Sequence, residues 1–497
     1  MNSLQRWTVL SIAGLLIACS GQQQFTSETQ TPQQYAVGSS TVFIHDESRP
    51  YDSVANVNTG VRTLITELWY PVDQSTIDRD PSKYARATYG DYVFGNPIMH
   101  KRMMTETTFF HLRPDTVRAG VSQSQIDEAI AELFSRERGS YIDAPVSSSG
   151  KKLPVIVMSH GDAGSRYNME TTSEYLAAHG YLVIAPEHTG NTPYAMTGSD
   201  PALAIDGDPE FQKAMTSVLP LLDNQGSYGS LETYGQSYTP LAGEEDVVKT
   251  LIDLDASLLQ RLNDLRAAIQ ELEQMNREGP FAGRLDLERI GLIGRSFGGV
   301  GTLVGLALED RFTAGFAVVP PGFADVRSAL PKEVLAPANK ESAMLSADEH
   351  APFYKFTKPT FILNGAEDTL IIRMGAEQAK AAGLSMPNAD NPHPVLRSTF
   401  ETTDSPVIWS VLAESNHSTL GVSGGYWWPE LKPDTAKRTF DPESSFRLID
   451  PAIAHKIQRE KALAFFDLTI RQDESARARV LDQEYSEQGL TLEARNF

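Results

Sequence analysis

Short apolar runs separated by segments of helical spacing recur along the chain. Residues 154–158 and 181–185 are two such runs, and the apolar positions between them, over residues 168–179, follow a helical period that stops at Gly180. A short run that is apolar throughout is typical of a parallel strand buried on both faces. The succession of strand, helix and strand therefore predicts an α/β fold with right-handed crossovers.

The same patterns continue on both sides of this unit. Apolar residues recur at spacings of three and four from Leu251 to Leu272, which favours one long helix packed on the sheet, with a coiled coil as the alternative. Further strands are predicted at residues 41–44, 64–70, 290–293, 316–319, 360–363 and 407–412, and further helices at 126–136, 298–308 and 453–468.

These elements predict one mostly parallel central sheet with helices on both faces. We interpret residues 1–18 as an export signal and residues 19–40, rich in Gln, Thr and Ser, as a flexible tether. The folded domain is expected over residues 41–473 and a polar C-terminal tail over 474–497. The domain carries two long insertions, at about 73–152 and 190–242, where the apolar pattern is interrupted.

The N-terminal segment resembles the signal of bacterial lipoproteins. A short apolar run ends in Leu16-Ile17-Ala18-Cys19, a pattern similar to a lipobox, which implies cleavage and lipidation of Cys19. Because Ser20 rather than Asp follows, the resemblance implies an exported lipoprotein held at the outer membrane by its N-terminal lipid, at the periplasmic face or the cell surface. The alternative is an ordinary cleaved signal in which Cys19 is incidental.

Composition and charge narrow the function classes. The chain has 497 residues, 41% of them apolar and 22% charged, which suits a packed globular protein. Its 43 basic and 64 acidic residues leave a net charge of −21, so we expect no nucleic-acid partner. Cys19 is the one cysteine, which excludes an internal disulfide and a cysteine-rich zinc site.

A nucleophile elbow is the most informative motif. The segment 294–298, Gly-Arg-Ser-Phe-Gly, fits Gly-x-Ser-x-Gly, follows a predicted strand and precedes a helix rich in small residues. Such a turn presents the hydroxyl of Ser296 at the N-terminus of a helix, where developing negative charge is stabilised. A structural Gly–Ser turn is the alternative.

A serine hydroxyl needs a base to become a nucleophile near neutral pH. His417 follows the last predicted strand, at the carboxyl edge where a base is required. His393, between two prolines, is expected in a surface loop, and His455 lies on the C-terminal helix. Four histidines follow Ser296 in the sequence, namely His350, His393, His417 and His455.

The acid and the oxyanion donors are expected in loops that follow strands. Asp368, after the strand at 360–363, is the candidate partner of the base; Glu367 is its competitor, and a simple helix N-cap is the alternative role. The backbone N–H of Phe297 is expected as one oxyanion donor. The second is expected in the loop 159–164, from Asp162 or, as the alternative, Ala163.

His160 in that loop has two interpretations. Together with His188 it could form part of a metal site, but no supporting ligand pattern accompanies the pair. A hydrogen-bonded structural histidine is favoured, and no metal is expected.

Several motifs together resemble the platelet-activating factor acetylhydrolase group and its bacterial dienelactone hydrolase-like relatives. The resemblance lies in residues 157–161, 178–181, 186–191, 281–286 and 294–299. It implies an α/β-hydrolase fold and a Ser-Asp-His carboxylic ester hydrolase that needs no metal or other cofactor.

The resemblance matches Ser296 and His417 residue by residue, and it implies that Asp162 and Phe297 form the oxyanion hole. The chain departs from both groups in one feature each. Dienelactone hydrolases use a cysteine where this chain has Ser296, and acetylhydrolases carry their acid after the preceding strand, where residues 318–321 contain no Asp. The acid is therefore expected at Asp368, the position seen in bacterial cutinase-like esterases.

The resemblance implies hydrolysis of short-chain or lipid-like esters, including esters similar to 1-alkyl-2-acetylglycerophosphocholine. A non-catalytic, lipid-anchored binding protein and a serine peptidase of the same fold are the alternatives. Two aromatic and methionine clusters belong either to the core or to an apolar substrate pocket: residues 426–428 and the set Met103, Met104, Phe109 and Phe110.

Overall fold

A computed structural model of the chain describes most residues from Gln34 onward. The predicted export signal, Cys19, the set Met103 to Phe110, Ala163 and His350 lie outside this described part. The described residues are 34–50, 52–54, 58, 61–93, 101, 117–162, 164–192, 247–322, 325, 327, 330–348 and 354–497.

The described part contains thirteen strands. In chain order they are β1 Ala36–Asp46, β2 Arg62–Val72, β3 Arg86–Thr88, β4 Glu137–Ile142, β5 Leu153–Ser159, β6 Leu182–Pro186, β7 Leu285–Arg295, β8 Phe312–Val318, β9 Thr360–Gly365, β10 Val407–Leu412, β11 Thr435–Lys437, β12 Ser445–Arg447 and β13 Leu490–Arg495. Eleven of them form one sheet, in the order β13-β10-β9-β8-β7-β5-β6-β2-β1-β4-β3. The remaining two, β11 and β12, form a separate hairpin.

The strand directions define the fold class. Strands β6, β5, β7, β8, β9 and β10 are parallel to one another, whereas β2 runs antiparallel to its neighbours β1 and β6. A mostly parallel sheet in this order, with an antiparallel second strand, is the α/β-hydrolase fold. The predicted fold class is therefore confirmed.

Helices cover both faces of the sheet, so the buried parts of the central strands are mostly apolar. Along β5, Ile156 and Met158 pack in a core with the helix Pro451–Thr469, whereas Val155 and Val157 pack on the opposite face with the helix Val247–Arg277. The helices of the described part are α1 Gln74–Arg79, α2 Gln123–Ser135, α3 Glu170–Ala178, α4 Val247–Arg277, α5 Phe297–Leu308, α6 Thr369–Ala381, α7 Pro394–Thr402, α8 Pro451–Thr469 and α9 Arg477–Leu481.

Helix α4 packs on the sheet, as its apolar spacing predicts. Leu265, Ile269 and Leu272 lie in the core of that face, and Leu258 and Leu262 pack beside the first turn of α5. The prediction of one long helix on the sheet is confirmed. Among the described residues, no helix has the length and the apolar character that crossing a bilayer requires.

The last residues belong to the fold and do not form the predicted polar tail. Strand β13 pairs antiparallel with β10, and Leu490 and the neighbouring Leu492 pack against the core. An edge strand buries only one face, so alternate polar residues are tolerated along it. The apolar signal over 474–497 is weak for that reason, and the predicted boundary at 473 is wrong.

The N-terminal boundary and the first insertion also differ from prediction. Strand β1 begins at Ala36, so residues 36–40, predicted as tether, lie in the sheet. The small residues of this segment pack closely: a Cβ built on Gly38 would lie 2.4 Å from the ring of Tyr70. Within the predicted insertion 73–152, β4 pairs parallel with β1 and extends the sheet.

Candidate active site

Ser296 occupies a tight turn between β7 and α5. Its backbone has φ 55° and ψ −121°, a conformation that costs a residue with a side chain on the order of 1–3 kcal/mol. The Ser296 N–H donates to the carbonyl of Val318 over 2.8 Å, which ties the turn to β8. A Cβ built on Gly294 would lie 2.1 Å from the Gly298 oxygen, and one on Gly298 would lie 2.0 Å from the Ser159 oxygen. Glycine is therefore required on both sides of the serine.

The structure brings the three predicted catalytic side chains into one hydrogen-bonded chain. The Ser296 Oγ lies 3.0 Å from His417 Nε2, and His417 Nδ1 lies 2.7 Å from Asp368 Oδ2. Ser296 is 7% exposed, His417 6% and Asp368 0%. In the tautomer that carries the ring proton on Nδ1, Asp368 accepts that proton's hydrogen bond and Nε2 is free to accept the serine proton.

Asp368 combines two roles that the sequence leaves as alternatives. Its Oδ2 faces His417, while its Oδ1 caps α6 by accepting from the N–H of Ile371 over 3.1 Å. Burial opposes ionisation, but the charge of His417 and these hydrogen bonds lower the pKa of Asp368 below its ordinary value. The carboxyl group is thus held as an oriented carboxylate.

The neighbouring candidates are directed elsewhere. Glu367 accepts from Arg438 Nη1 over 2.6 Å and from the N–H of Thr439 over 2.8 Å, so it does not face the base. His455 Nδ1 instead lies 2.8 Å from the hydroxyl of Thr171 on α3.

His393 is buried, and the surface-loop prediction for it is wrong. It is 5% exposed, and its Nε2 donates to the carbonyl of Gly365 over 3.1 Å. The flanking prolines suggest a loop, but Pro394 is the first residue of α7, where proline is favoured. Burial lowers the pKa of His393 below its ordinary value.

The two predicted oxyanion donors belong to segments that meet at Ser296. Phe297 is the first residue of α5, so its N–H lies at the helix N-terminus beside Ser296. The loop after β5 folds into a turn in which the Gly164 N–H donates to the Gly161 carbonyl over 3.1 Å. A Cβ built on Gly161 would lie 3.2 Å from the Cβ of Ser296. Asp162 therefore follows a residue that packs directly on the candidate nucleophile.

His160 has both ring nitrogens engaged inside the protein. Nε2 accepts from the backbone N–H of His188 over 2.9 Å, and Nδ1 donates to the Gly161 carbonyl over 2.7 Å. Burial, together with the neighbouring His188 and the charge of Arg261, holds the pKa of His160 well below its ordinary value. These contacts are those of a structural histidine. No group of three His, Cys, Asp or Glu side chains suited to a metal ion occurs in the part of the chain that the structure describes.

A second Ser–His–Asp arrangement lies beneath the loop. His188 Nε2 is 2.9 Å from the Ser159 Oγ, and His188 Nδ1 is 3.0 Å from Asp264 Oδ2. All three side chains are buried, so Ser159 has no access to a substrate. Burial and then the charge of Arg261 lower the pKa of His188 to about 4, which keeps the ring neutral.

Sequence reasoning missed Arg295, which lies at a variable position of the elbow motif. Its guanidinium is buried, and Nη2 donates a hydrogen bond to the main-chain carbonyl of His417. A Cβ built on Gly421 would lie 2.8 Å from Arg295 Nε, so the loop that carries the histidine wraps closely around this side chain. No spacing rule predicts such a contact between residues 122 positions apart, as 417 and 295 are.

The aromatic residues after His417 are core residues. Trp427 and Trp428 are buried in an aromatic cluster with Tyr89 and Tyr167. Trp427 also donates through its indole N–H to Glu170 over 2.9 Å. For these two tryptophans the core interpretation, rather than the substrate-pocket interpretation, is confirmed.

The fold and the site thus define an α/β-hydrolase-fold protein with a Ser–His–Asp set at its nucleophile elbow. Residues 121–211 match the model of the family described as platelet-activating factor acetylhydrolase, isoform II. This segment includes the loop 159–164 and ends before Ser296.

Individual relatives are similar over a longer part of the chain. The platelet-activating factor acetylhydrolase of Cavia porcellus is 28% identical over 218 residues, which are 42% of this chain and 45% of the relative. That of Canis lupus familiaris is 25% identical over 173 residues, 34% of this chain and 35% of the relative. The chain thus spans less than half the length of the curated relatives it matches. Among solved structures, a ferulic acid esterase from Streptomyces cinnamoneus aligns with a TM-score of 0.49 at 16% identity, over 92% of this chain and 96% of its own.

Proposed function

We propose that this protein is a serine carboxylic ester hydrolase. The observation that carries the proposal is the hydrogen-bonded chain from Asp368 through His417 to Ser296, at an elbow whose glycines are sterically required. Similarity to platelet-activating factor acetylhydrolases supports the same reaction class.

In the first half-reaction, Ser296 Oγ attacks the ester carbonyl carbon while its proton passes to His417 Nε2. The carbonyl oxygen takes up the negative charge and forms a tetrahedral intermediate. Collapse of this intermediate breaks the bond to the alkoxy oxygen, which receives the proton from His417 and leaves as the alcohol. Asp368 stabilises the imidazolium and keeps the ring oriented throughout.

In the second half-reaction, water replaces the alcohol. His417 removes a proton from water, the hydroxide attacks the acyl-enzyme carbonyl, and the returning proton restores the Ser296 hydroxyl as the carboxylic acid leaves. The backbone N–H groups of Phe297 and Asp162 would stabilise the oxyanion in both steps. Removing one such donor costs on the order of 10²–10³ in rate in other serine hydrolases.

An apolar acyl group or a lipid-like ester is the proposed substrate class. Phe297, beside the nucleophile, packs in an apolar cluster with Leu258, Leu262, Met344 and Leu345. These side chains are between 1% and 6% exposed, so they support the elbow by apolar packing, and the substrate class is proposed from similarity to the relatives. By similarity to its relatives, an acetylated glycerophospholipid is the finer proposal for the substrate.

We further propose that the protein is an exported lipoprotein anchored through Cys19, on the strength of the Leu16-Ile17-Ala18-Cys19 pattern. Expression of the full chain in a bacterium fed radioactive palmitate tests this proposal. We expect label and outer-membrane fractionation that both disappear in Cys19→Ser. An unlabelled wild-type protein in the soluble fraction would show that Cys19 is incidental.

A panel of p-nitrophenyl esters graded from acetate to palmitate tests the reaction and the acyl preference together. We expect turnover by the wild type and a loss of at least about 10³-fold in Ser296→Ala. Equal turnover by both proteins would remove Ser296 from the reaction. Ligand binding without turnover would favour a non-catalytic protein, and preferential cleavage of p-nitroanilides would indicate a peptidase.

A further inference from the structure

Arg261, on the long helix α4, contacts both segments that carry the proposed oxyanion donors. Its side chain is buried, with 2% exposure. Its Nη1 donates to the His160 carbonyl over 2.8 Å and lies 3.4 Å from the Ser159 hydroxyl. Its Nη2 lies 3.4 Å from the Gly161 carbonyl oxygen.

These contacts set the direction of the backbone N–H groups in the loop. In a planar trans peptide the carbonyl of one residue points opposite to the N–H of the next. The carbonyl of His160 points at Arg261, and the Gly161 N–H accordingly faces Asn168 Oδ1, at 3.4 Å. The carbonyl of Gly161 faces Arg261 as well as His160 Nδ1 and the Gly164 N–H, and these three contacts together direct the Asp162 N–H away from α4.

Arg261 also constrains the side chain of Asp162 through Asn191. Its Nη2 donates to Asn191 Oδ1, and Asn191 Nδ2 donates to Asp162 Oδ1 over 2.8 Å. The guanidinium and the carboxylate therefore hold opposite ends of one amide group. Rotation of the Asp162 peptide would break this relay as well as the direct carbonyl contacts.

The other proposed donor residue meets the same guanidinium. The Arg261 Cζ lies 4.5 Å from the centre of the Phe297 ring, within the range of a cation–π interaction. One side chain thus packs on Phe297 and hydrogen-bonds the loop that precedes Asp162. A planar group with fixed donor directions suits this task, which an ammonium group would perform less well.

The buried Ser159, His188 and Asp264 support Arg261 from below. Ser159 ends β5, and its hydroxyl faces both Arg261 Nη1 and His188 Nε2. Asp264, one turn along α4 from Arg261, receives hydrogen bonds from His188 and from Arg62. The helix and the end of β5 are consequently joined at two adjacent points, which leaves the loop little freedom to shift.

We propose that Arg261 is a positioning residue that orients the Asp162 and Phe297 N–H groups toward the oxyanion of the substrate. The proposal rests on the proposed serine hydrolase function. A cation at the carbonyl oxygens also polarises the peptide units, which strengthens their N–H groups as donors. These N–H groups should therefore stabilise the transition state, in which the substrate carbonyl oxygen is negatively charged, more than the bound substrate.

The test compares Arg261→Met, Arg261→Lys and Asn191→Ala with the wild type on one p-nitrophenyl ester. Arg266→Met is the matched control, because Arg266 lies on the same helix but pairs with Glu309 and Glu341. We expect kcat to fall about 10–100-fold in Arg261→Met with little change in KM, and by less in Arg261→Lys and Asn191→Ala. Arg266→Met should retain the wild-type kcat.

A second readout separates positioning from general loosening. An alkylboronic acid forms a tetrahedral adduct with the nucleophilic serine, whereas the product alcohol binds as a ground-state ligand. Across the variants, the Ki of the boronic acid should rise by the same factor by which kcat/KM falls. The Ki of the alcohol should not change. Equal weakening of both ligands would overturn the proposal, as would an unchanged kcat in folded Arg261→Met.

The remaining outcomes are also decisive. If Arg261→Met does not fold, Asn191→Ala carries the test, and an unchanged kcat in that variant contradicts the relay to Asp162. A wild type without Ser296-dependent turnover would refute the proposed function itself, and this result is visible before any Arg261 variant is measured.

Discussion

The guanidinium of Arg295 donates a hydrogen bond to the main-chain carbonyl of His417. Arg295 immediately precedes the candidate nucleophile, so the residue that ends β7 also holds the loop that carries the base. One residue thus adjoins Ser296 in the chain and binds the backbone of His417, which keeps the two side chains at their 3.0 Å separation. This arrangement leads to the first of four predictions.

Arg295→Met should lower kcat about 10–100-fold, because a base displaced by about 1 Å transfers the proton poorly. KM should change little, since the Arg295 side chain is buried, with 1% exposure, and is not available for contact with a substrate. Arg289→Met is the control, because Arg289 lies on the same strand but donates to the carbonyl of Ile470, far from the elbow in sequence. Steady-state kinetics of both variants check the prediction, and equal kcat values would contradict it.

Asp368→Asn should lower kcat by about 10³–10⁴-fold while the protein remains folded. The asparagine amide would donate to His417 Nδ1, which forces the ring proton onto Nε2 and removes the acceptor that Ser296 needs. Glu367→Gln is the matched control, since its carboxylate faces Arg438 and Thr439. If Glu367→Gln loses as much activity as Asp368→Asn, the assignment of the acid is wrong.

Gly298→Ala should destabilise the fold by about 2 kcal/mol or more, because its Cβ would lie 2.0 Å from the Ser159 carbonyl oxygen. Gly301→Ala is the control. Gly301 lies on the same helix, and a Cβ built on it would lie 3.4 Å from the Ser159 hydroxyl. We expect this control to be neutral or stabilising by up to about 1 kcal/mol. Urea unfolding of the two variants measures the difference, and comparable stabilities would show that the elbow relaxes.

The stability of Glu67→Gln relative to the wild type should increase as the pH rises from 5 to 8. Burial raises the pKa of Glu67 from 4.5 to about 7, although Arg166 and the Thr41 hydroxyl oppose the shift. The folded state therefore binds a proton on Glu67 more tightly than the unfolded state does. The stability that the protonated Glu67 contributes is lost as the pH rises through about 7. Relative to the wild type, Glu67→Gln should gain about 2–3 kcal/mol between these pH values.

Chemical denaturation at pH 5 and pH 8 checks the Glu67 prediction. Glu309→Gln is the control, because hydrogen bonding and the charge of Arg311 lower the pKa of Glu309 to about 2, outside the tested window. Its stability difference from wild type should stay nearly constant. A Glu67→Gln difference that is equally constant would show that Glu67 is ionised at both pH values.

The parallel core and the candidate catalytic set were predictable because each has a local pattern. Strand β5 is apolar from Leu153 to Met158, and the glycines around Ser296 follow from a steric need that any such turn shares. His417 and Asp368 could be proposed because each lies in the loop after a predicted strand, five positions beyond its last residue. The proposed roles of these residues are therefore indicated by the sequence immediately around them.

The missed features depend on contacts between distant segments. Edge strand β13 has a weak apolar pattern because one of its faces is exposed, and its partner β10 is about 80 residues earlier. His393 is buried only because α7 packs it against the end of β9. Arg261 and Arg295 act through carbonyl groups, which every residue possesses, so no side-chain motif could indicate their partners.

Covalent labelling with a fluorophosphonate, followed by peptide mass spectrometry, asks whether Ser296 is the activated nucleophile. We expect one adduct per chain, located on Ser296, absent from Ser296→Ala and formed much more slowly in a folded His417→Ala variant. No adduct on the folded wild type, or an adduct on another residue such as the buried Ser159, would contradict this assignment.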